Sequence, residues 1–182
     1  VAAVRAGETV LVLGASGGVG TGAIRIAKMA GCRVIAAVGS AWKATEAIRA
    51  GADEAVDYTA APLREAVRAR TDGAGVHVVL DSVGATTWRD SINLLRPFGR
   101  MVVCGATSGD APEISIRELY QQHRRILGAP LGTRREFRDV TQALVRGALA
   151  PIVHATLPLD RIHEALHLLD SRASFGKVVL VP

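Results

Sequence analysis

The 182-residue chain is poor in aromatic residues (4%), in cysteine (Cys32 and Cys104 only) and in lysine, which stands only at positions 28, 43 and 177. Each shortage excludes something. Two cysteines cannot build a disulfide framework, and no pair of CxxC or CxxH units suggests structural zinc. Aliphatic runs such as Val10–Leu13 and Val178–Val181 fall far short of the roughly 20 residues a membrane span needs. Neither a basic leader nor an apolar signal core follows Val1. The expectation is a cytoplasmic protein and, since the first residue is Val rather than Met, a piece of something longer.

What is present is an ordinary globular composition, 49% hydrophobic and 21% charged, enough for one core-forming domain or slightly more. The net charge of +5 is carried almost entirely by arginine. These arginines are scattered singly through helical stretches, with doublets only at Arg124/Arg125 and Arg134/Arg135. They read as solvated helix faces, and neither a nucleic-acid nor a membrane partner is expected.

Short β-branched runs alternate with segments of helical period, the sequence form of a parallel sheet covered on both faces. Strands are expected at Thr9–Leu13, Arg33–Val38, Glu54–Asp57, Val76–Asp81, Arg100–Cys104 and Arg125–Gly128. Helices are expected at Val19–Ala30, Lys43–Ala50, Pro62–Arg70, Thr86–Leu95 and Ile116–Gln122. Gly51, Gly73, Gly99 and Gly132 sit at element boundaries, where left-handed turns are expected. The fold class is thus α/β, a Rossmann-type, doubly wound, six-stranded parallel sheet. After Gly132 the pattern becomes helix (Arg134–Arg146), strand (Ile152–Leu157), helix (Leu159–Asp170) and strand (Lys177–Val181). Residues 1–133 are therefore expected to form a dinucleotide-binding domain and 134–182 an appended αβαβ tail.

The first strand runs into Gly14-Ala15-Ser16-Gly17-Gly18-Val19-Gly20 and then a helix. Glycines there let the chain turn tightly, let a pyrophosphate approach the amides and let helix and strand pack closely. The spacing GxxxGxG also fits short-chain dehydrogenases, but they need a catalytic YxxxK pair. Here Pro62 and Arg124 follow Tyr58 and Tyr120 at that distance. An acid that would read a ribose 2′-hydroxyl is missing at the end of the second strand, which reads Val38-Gly39-Ser40. Ser40 can donate to a 2′-phosphate and Lys43 can supply charge, so NADP(H) is expected in preference to NAD(H).

With these motifs in place, the chain resembles the cofactor-binding half of the medium-chain dehydrogenase/reductase family, in its quinone oxidoreductase and zinc-type alcohol dehydrogenase branches. The resemblance is carried by GETVLVLGASGGVG (7–20), VGSAWKATEAIRAGADEAVDY (38–58), DSVG (81–84), LLRPFGRMVVCG (94–105) and FGKVVLVP (175–182). It implies strand order 3-2-1-4-5-6, with Ser16, Gly17, Gly18 and Val19 at the pyrophosphate. Ser40, Lys43 and Tyr58 would surround the 2′-phosphate, and Val83 would lie against the adenosine. Cys104, Gly105, Ala106, Leu127 and Gly128 would flank the nicotinamide. The resemblance places the substrate pocket, and any zinc, in a GroES-like half absent from this chain. No catalytic or metal-binding residue is therefore assigned here. It also implies a homodimer through the strand-six edge, and hydride transfer between NADPH and a small carbonyl, quinone or activated alkene.

Two competing readings remain. One is a nucleotide-binding module without chemistry of its own. The other rests on His163-Glu164-Ala165-Leu166-His167, an HExxH that could hold zinc for hydrolysis. Against it, Ile162, Ala165, Leu166 and Leu169 form the helix's apolar stripe, turning both histidines to its flank, and no third ligand follows. His77, His123 and His154 have no partners at ligand spacing.

Overall fold

A computed structural model describes residues 2–182. Six strands form one sheet: β1 (Thr9–Val12), β2 (Arg33–Val38), β3 (Glu54–Asp57), β4 (Val76–Asp81), β5 (Leu95–Val103) and β6 (Arg125–Gly128). Their order is β3-β2-β1-β4-β5-β6 and every pairing is parallel. The crossovers are α1 (Gly18–Met29), α2 (Ala41–Arg49), α3 (Leu63–Ala69), α4 (Ala85–Leu94) and α5 (Ile116–Gln121).

Both faces of the sheet are covered, which is why its strands lack polar alternation. Val10 and Val12 of β1 and Val34, Ala36 and Val38 of β2 pack with Ile24 and Ala27 of α1. Leu11, Ile35 and Ala37, one residue out of phase, pack on the opposite face with Val67 of α3 and Ile92 and Leu94 of α4. Each large side chain removed from water in this way contributes about 2 kcal/mol.

The tail contains α6 (Arg134–Val145), β7 (Val153–Pro158), a 3-10 turn, α7 (Ile162–Asp170) and β8 (Lys177–Val181). Strands β7 and β8 form a separate parallel pair. Phe175, 3% exposed, joins the α1-side core and anchors the tail there. Leu157 and Ala165 are buried as well, but most large apolar residues of the tail helices face outward. Phe137, Val140 and Leu144 of α6 and Ile162, Leu166 and Leu169 of α7 are all exposed.

Three local expectations need correction. Strand β5 starts at Leu95, not Arg100, because Leu95 pairs with Val76 before the ladder breaks and resumes at Arg100 with Val78. Pro97, which has no amide to offer a ladder, sits in the intervening bulge. The left-handed residue there is Phe98 (φ 62°), whereas Gly99 is needed for space, since a Cβ would lie 2.9 Å from Arg96 O. Gly132 also lacks a left-handed backbone, while Gly51 and Gly73 have one. Among the described residues no helix is long and apolar enough to cross a membrane.

Candidate functional site

The carboxyl ends of β1, β2 and β4 open into a cleft of about 470 Å³. The glycine loop forms its floor. Gly14 takes a left-handed turn (φ 59°), and Gly17 N–H donates back to Gly14 O at 3.0 Å. Gly20 admits no side chain: a Cβ would lie 2.4 Å from Gly14 O and 2.6 Å from Ala15 Cα. That contact seats α1 against the loop, and Thr21 N–H to Gly17 O (2.9 Å) closes its first turn. The amides ahead of Thr21 have no intrahelical acceptor, and no acidic side chain occupies that turn. A partially positive helix end faces the cleft.

The walls carry cations. Lys43, in the first turn of α2, is 8% exposed, and burial, reinforced by nearby Arg172, pushes its pKa down. Lys43, Arg172 and Lys177 all line the cleft, and none belongs to an ion pair among the described residues. Ser40 precedes α2, outside the residues lining the cleft, and among the described residues its buried Oγ has no hydrogen-bond partner. Tyr58 reaches across Gly39, where a Cβ would lie 2.8 Å from the Tyr58 hydroxyl. Unpaired cations, an orphaned hydroxyl and open helix amides together suit a ligand with more than one negative charge.

A third wall is the β4–α4 loop, held by Asp81. This fully buried carboxylate accepts from Val83 N–H (2.8 Å), Gly84 N–H (2.9 Å), Thr87 Oγ1 (2.9 Å) and Ser91 Oγ (2.7 Å). Four donors fix the loop that presents Val83 to the cleft. The loop after β5 locks against it. Ser108 N–H donates to Val83 O at 2.8 Å, and a Cβ on Gly105 would lie 2.8 Å from Ser82 O.

The structure thus brings Ser16, Gly17, Gly18, Lys43, Tyr58 and Val83 around one cleft. Val19 is exposed on the first turn of α1. Cys104, Gly105 and Ala106 follow β5, outside the residues lining the cleft, and burial pushes the Cys104 thiol pKa up. Gly128 ends β6 level with Val103, and Leu127 packs against the α1-side core. Sequence reasoning missed Arg172 and Lys177, which the tail brings in, and the role of Asp81. Of these, Asp81 and Lys177 lay within recognised motifs, DSVG and FGKVVLVP, and Arg172 lay outside them.

Other features are spoken for. At the amino ends of the strands a second cleft, of about 490 Å³, contains Arg100, but both guanidinium NH2 groups of that residue are bound to Glu8 (2.9 and 2.7 Å). His77 Nδ1 accepts from Thr9 N–H (2.9 Å), and His123 stacks on Phe98. In the HExxH segment Glu164 is paired with Arg161. Among the described residues no three His, Cys, Asp or Glu side chains converge as metal ligands.

The comparisons with known proteins agree with this architecture. Residues 18–146 match the family described as zinc-binding dehydrogenase. Quinone oxidoreductase 1 of Escherichia coli (strain K12) is 32% identical over 186 residues, covering 96% of this chain and 57% of the relative. An NAD-dependent alcohol dehydrogenase of solved structure superposes with a TM-score of 0.90 at 36% identity, over 100% of this chain and 53% of its own. The Escherichia coli quinone oxidoreductase complexed with NADPH gives a TM-score of 0.83 at 31% identity, over 99% and 59%. The chain therefore spans little more than half the length of the relatives it matches. Its sheet order, its glycine loop and a family match running from α1 to the end of α6 make this chain a member of the zinc-binding dehydrogenase family, within the medium-chain dehydrogenase/reductases.

Proposed function

We propose that this chain is the NADP(H)-binding portion of an oxidoreductase that transfers hydride between the nicotinamide and a small carbonyl, quinone or activated alkene. The observation that carries the cofactor choice is the pair of unpaired cations Lys43 and Arg172, in a cleft where the turn after β2 offers Ser40 rather than an acid. Similarity to relatives does not decide the choice, since the solved neighbours include an NAD-dependent enzyme and an NADPH complex.

The residues present fit the cofactor. The loop amides of Gly17 and Gly18 bind the diphosphate, and Ser40 Oγ gains the acceptor it lacks. Lys43, Arg172 and Tyr58 hold the 2′-phosphate, and Val83 packs on the adenosine. Cys104, Gly105, Ala106 and Gly128 border the nicotinamide end. The bound nicotinamide supplies or accepts the hydride. This chain's own contribution is to orient the cofactor and to form one wall of a dry cleft.

In this reading residues 1–133 form the cofactor domain. The exposed apolar faces of α6 and α7 in the tail, residues 134–182, meet a separate catalytic half. Strand β6 lies at an open sheet edge, which supports pairing of two copies there. A cytoplasmic location suits such chemistry.

The test is titration with both cofactors. Lys43→Met keeps the buried stem and removes the charge, so it should weaken NADPH about ten- to a hundredfold while leaving NADH unchanged. Equal loss for both nucleotides would remove Lys43 from the 2′-phosphate site.

A further inference from the structure

Helix α2 inverts the usual partition of its side chains. It buries Lys43 and Ala47, while Trp42, in the same first turn, is 44% exposed. An aromatic ring left outside and an ammonium taken inside is the reverse of what burial alone selects.

Most of what surrounds the Lys43 ammonium opposes its charge. Burial removes it from water, and Arg172 repels it from across the cleft. Its place in the first turn of α2 puts it at the partially positive end of a helix, where no acidic side chain stands. Among the described residues it enters no ion pair. The favourable partner is the indole: Lys43 Nζ lies over the Trp42 ring, 5.5 Å from its centroid. The face of that ring carries the negative part of its quadrupole and attracts a cation at this distance. From the tail, the His154 ring of β7 stands 6.5 Å from the Trp42 ring, tilted by 43°. A row of side chains thus runs from the tail strand through the indole to the lysine of the cleft. Neither Trp42 nor His154 lines the cleft itself, so the indole can act on a ligand there only through Lys43.

We infer that Trp42 is a positioning residue for Lys43, its ring face holding the buried ammonium, against the repulsion of Arg172, where a 2′-phosphate meets it. This rests on the reading above that Lys43 meets that phosphate. The ring then contributes to the choice between NADPH and NADH while touching neither. The tail reaches the 2′-phosphate by two routes, directly through Arg172 and indirectly through His154 and Trp42.

The experiment is calorimetric titration of the 182-residue chain with NADPH, NADH and adenosine 2′-monophosphate. It is repeated for Trp42→Leu, Trp42→Phe, Lys43→Met, and Trp42→Leu combined with Lys43→Met. Trp42→Leu keeps apolar cover at a half-exposed position and removes the ring face, and circular dichroism checks that the fold is kept. The expected result is a loss of about fivefold for NADPH and for adenosine 2′-monophosphate, with NADH unchanged and most of the loss restored in Trp42→Phe. In the Lys43→Met background Trp42→Leu should cost nothing further, because the group it positions is gone. No loss, a loss shared by NADH, or the same loss with Lys43→Met already in place would overturn the assignment, while a NADPH-selective loss in Lys43→Met alone would leave the 2′-phosphate reading intact. A Lys43→Met variant that binds NADPH and NADH as the parent does would overturn that reading and this inference with it.

Discussion

Two aliphatic runs of similar composition, Val10–Leu13 and Val178–Val181, end in opposite environments. The first is β1 and the residue after it, buried on both faces in the middle of the sheet. The second belongs to β8, where Val179 and Val181 are 37% and 40% exposed and one face of a two-stranded sheet has no cover. Hydrophobicity in a sequence therefore records what a segment is suited to bury, not what this chain buries by itself. A sheet with helices on both faces consumes its own apolar surface. A two-stranded sheet backed by a single helix cannot, and is marginal without further packing.

The largest effect expected from this contrast is in stability. Leu11→Ala, at a fully buried position between β2 and β4, should cost about 3 kcal/mol because transfer and cavity terms add. Val179→Ala should cost under about 1 kcal/mol, because the exposed part of the side chain has little contact to lose. Urea unfolding of the two variants measures the difference, and similar losses would mean that the tail sheet is packed as tightly as the central one.

The second effect sharpens the contrast between charges that hold the fold and charges left for a ligand. Glu8 and Arg100 form a bidentate pair at the amino ends of the strands, and the Arg100 guanidinium holds the Glu8 pKa down at about 2. The folded value lies below the ordinary 4.5, so the stabilisation is present in full above about pH 4.5 and is lost as pH falls towards 2. That loss should amount to roughly 3 kcal/mol, with Glu8→Gln flattening this part of the stability profile. Among the described residues Lys43, Arg172 and Lys177 form no such pair, so neutralising any one of them should not lower stability while altering nucleotide affinity.

The same contrast explains what could be read in advance. The glycine loop was legible because its chemistry is backbone geometry, and Gly14, Gly17, Gly18 and Gly20 hold it within seven consecutive positions. The parallel sheet followed from strands buried on both faces, each joined to the next by a helix, and its order followed from the family resemblance. Arg172 and Lys177 were illegible as site residues because they stand more than 150 positions after the loop, and only the docking of Phe175 and the bond from Gly176 to Ser16 brings them back. Asp81 was visible within DSVG, but its work depends on four donors that spacing alone does not reveal. The start of β5 was misplaced because Pro97 and Gly99 read as a loop, and a bulge inside a strand has the same composition as a loop between elements.

A small change in folding stability is expected at the edge of the sheet, where the contrast is between a paired face and an open one on a single strand. Ala129 N–H, just past β6, donates to Val103 O of β5 at 2.8 Å. Amides alternate along a strand, so those of Leu127 and Arg125 also point to β5, and those of Ile126 and Gly128 point away from it. Among the described residues no strand lies beyond them, since β6 ends the order β3-β2-β1-β4-β5-β6. In the proposed homodimer these outward groups pair with the same edge of a second copy, giving one continuous sheet across the two-fold axis. Ile126→Pro removes an outward amide and spares the ladder to β5, so it should cost the monomer no more than about 1 kcal/mol. It should nevertheless convert a dimer mass to a monomer mass in light scattering at micromolar concentration. A parent chain that is already monomeric, or an Ile126→Pro variant that remains dimeric, would remove β6 as the contact and leave the open edge without a partner.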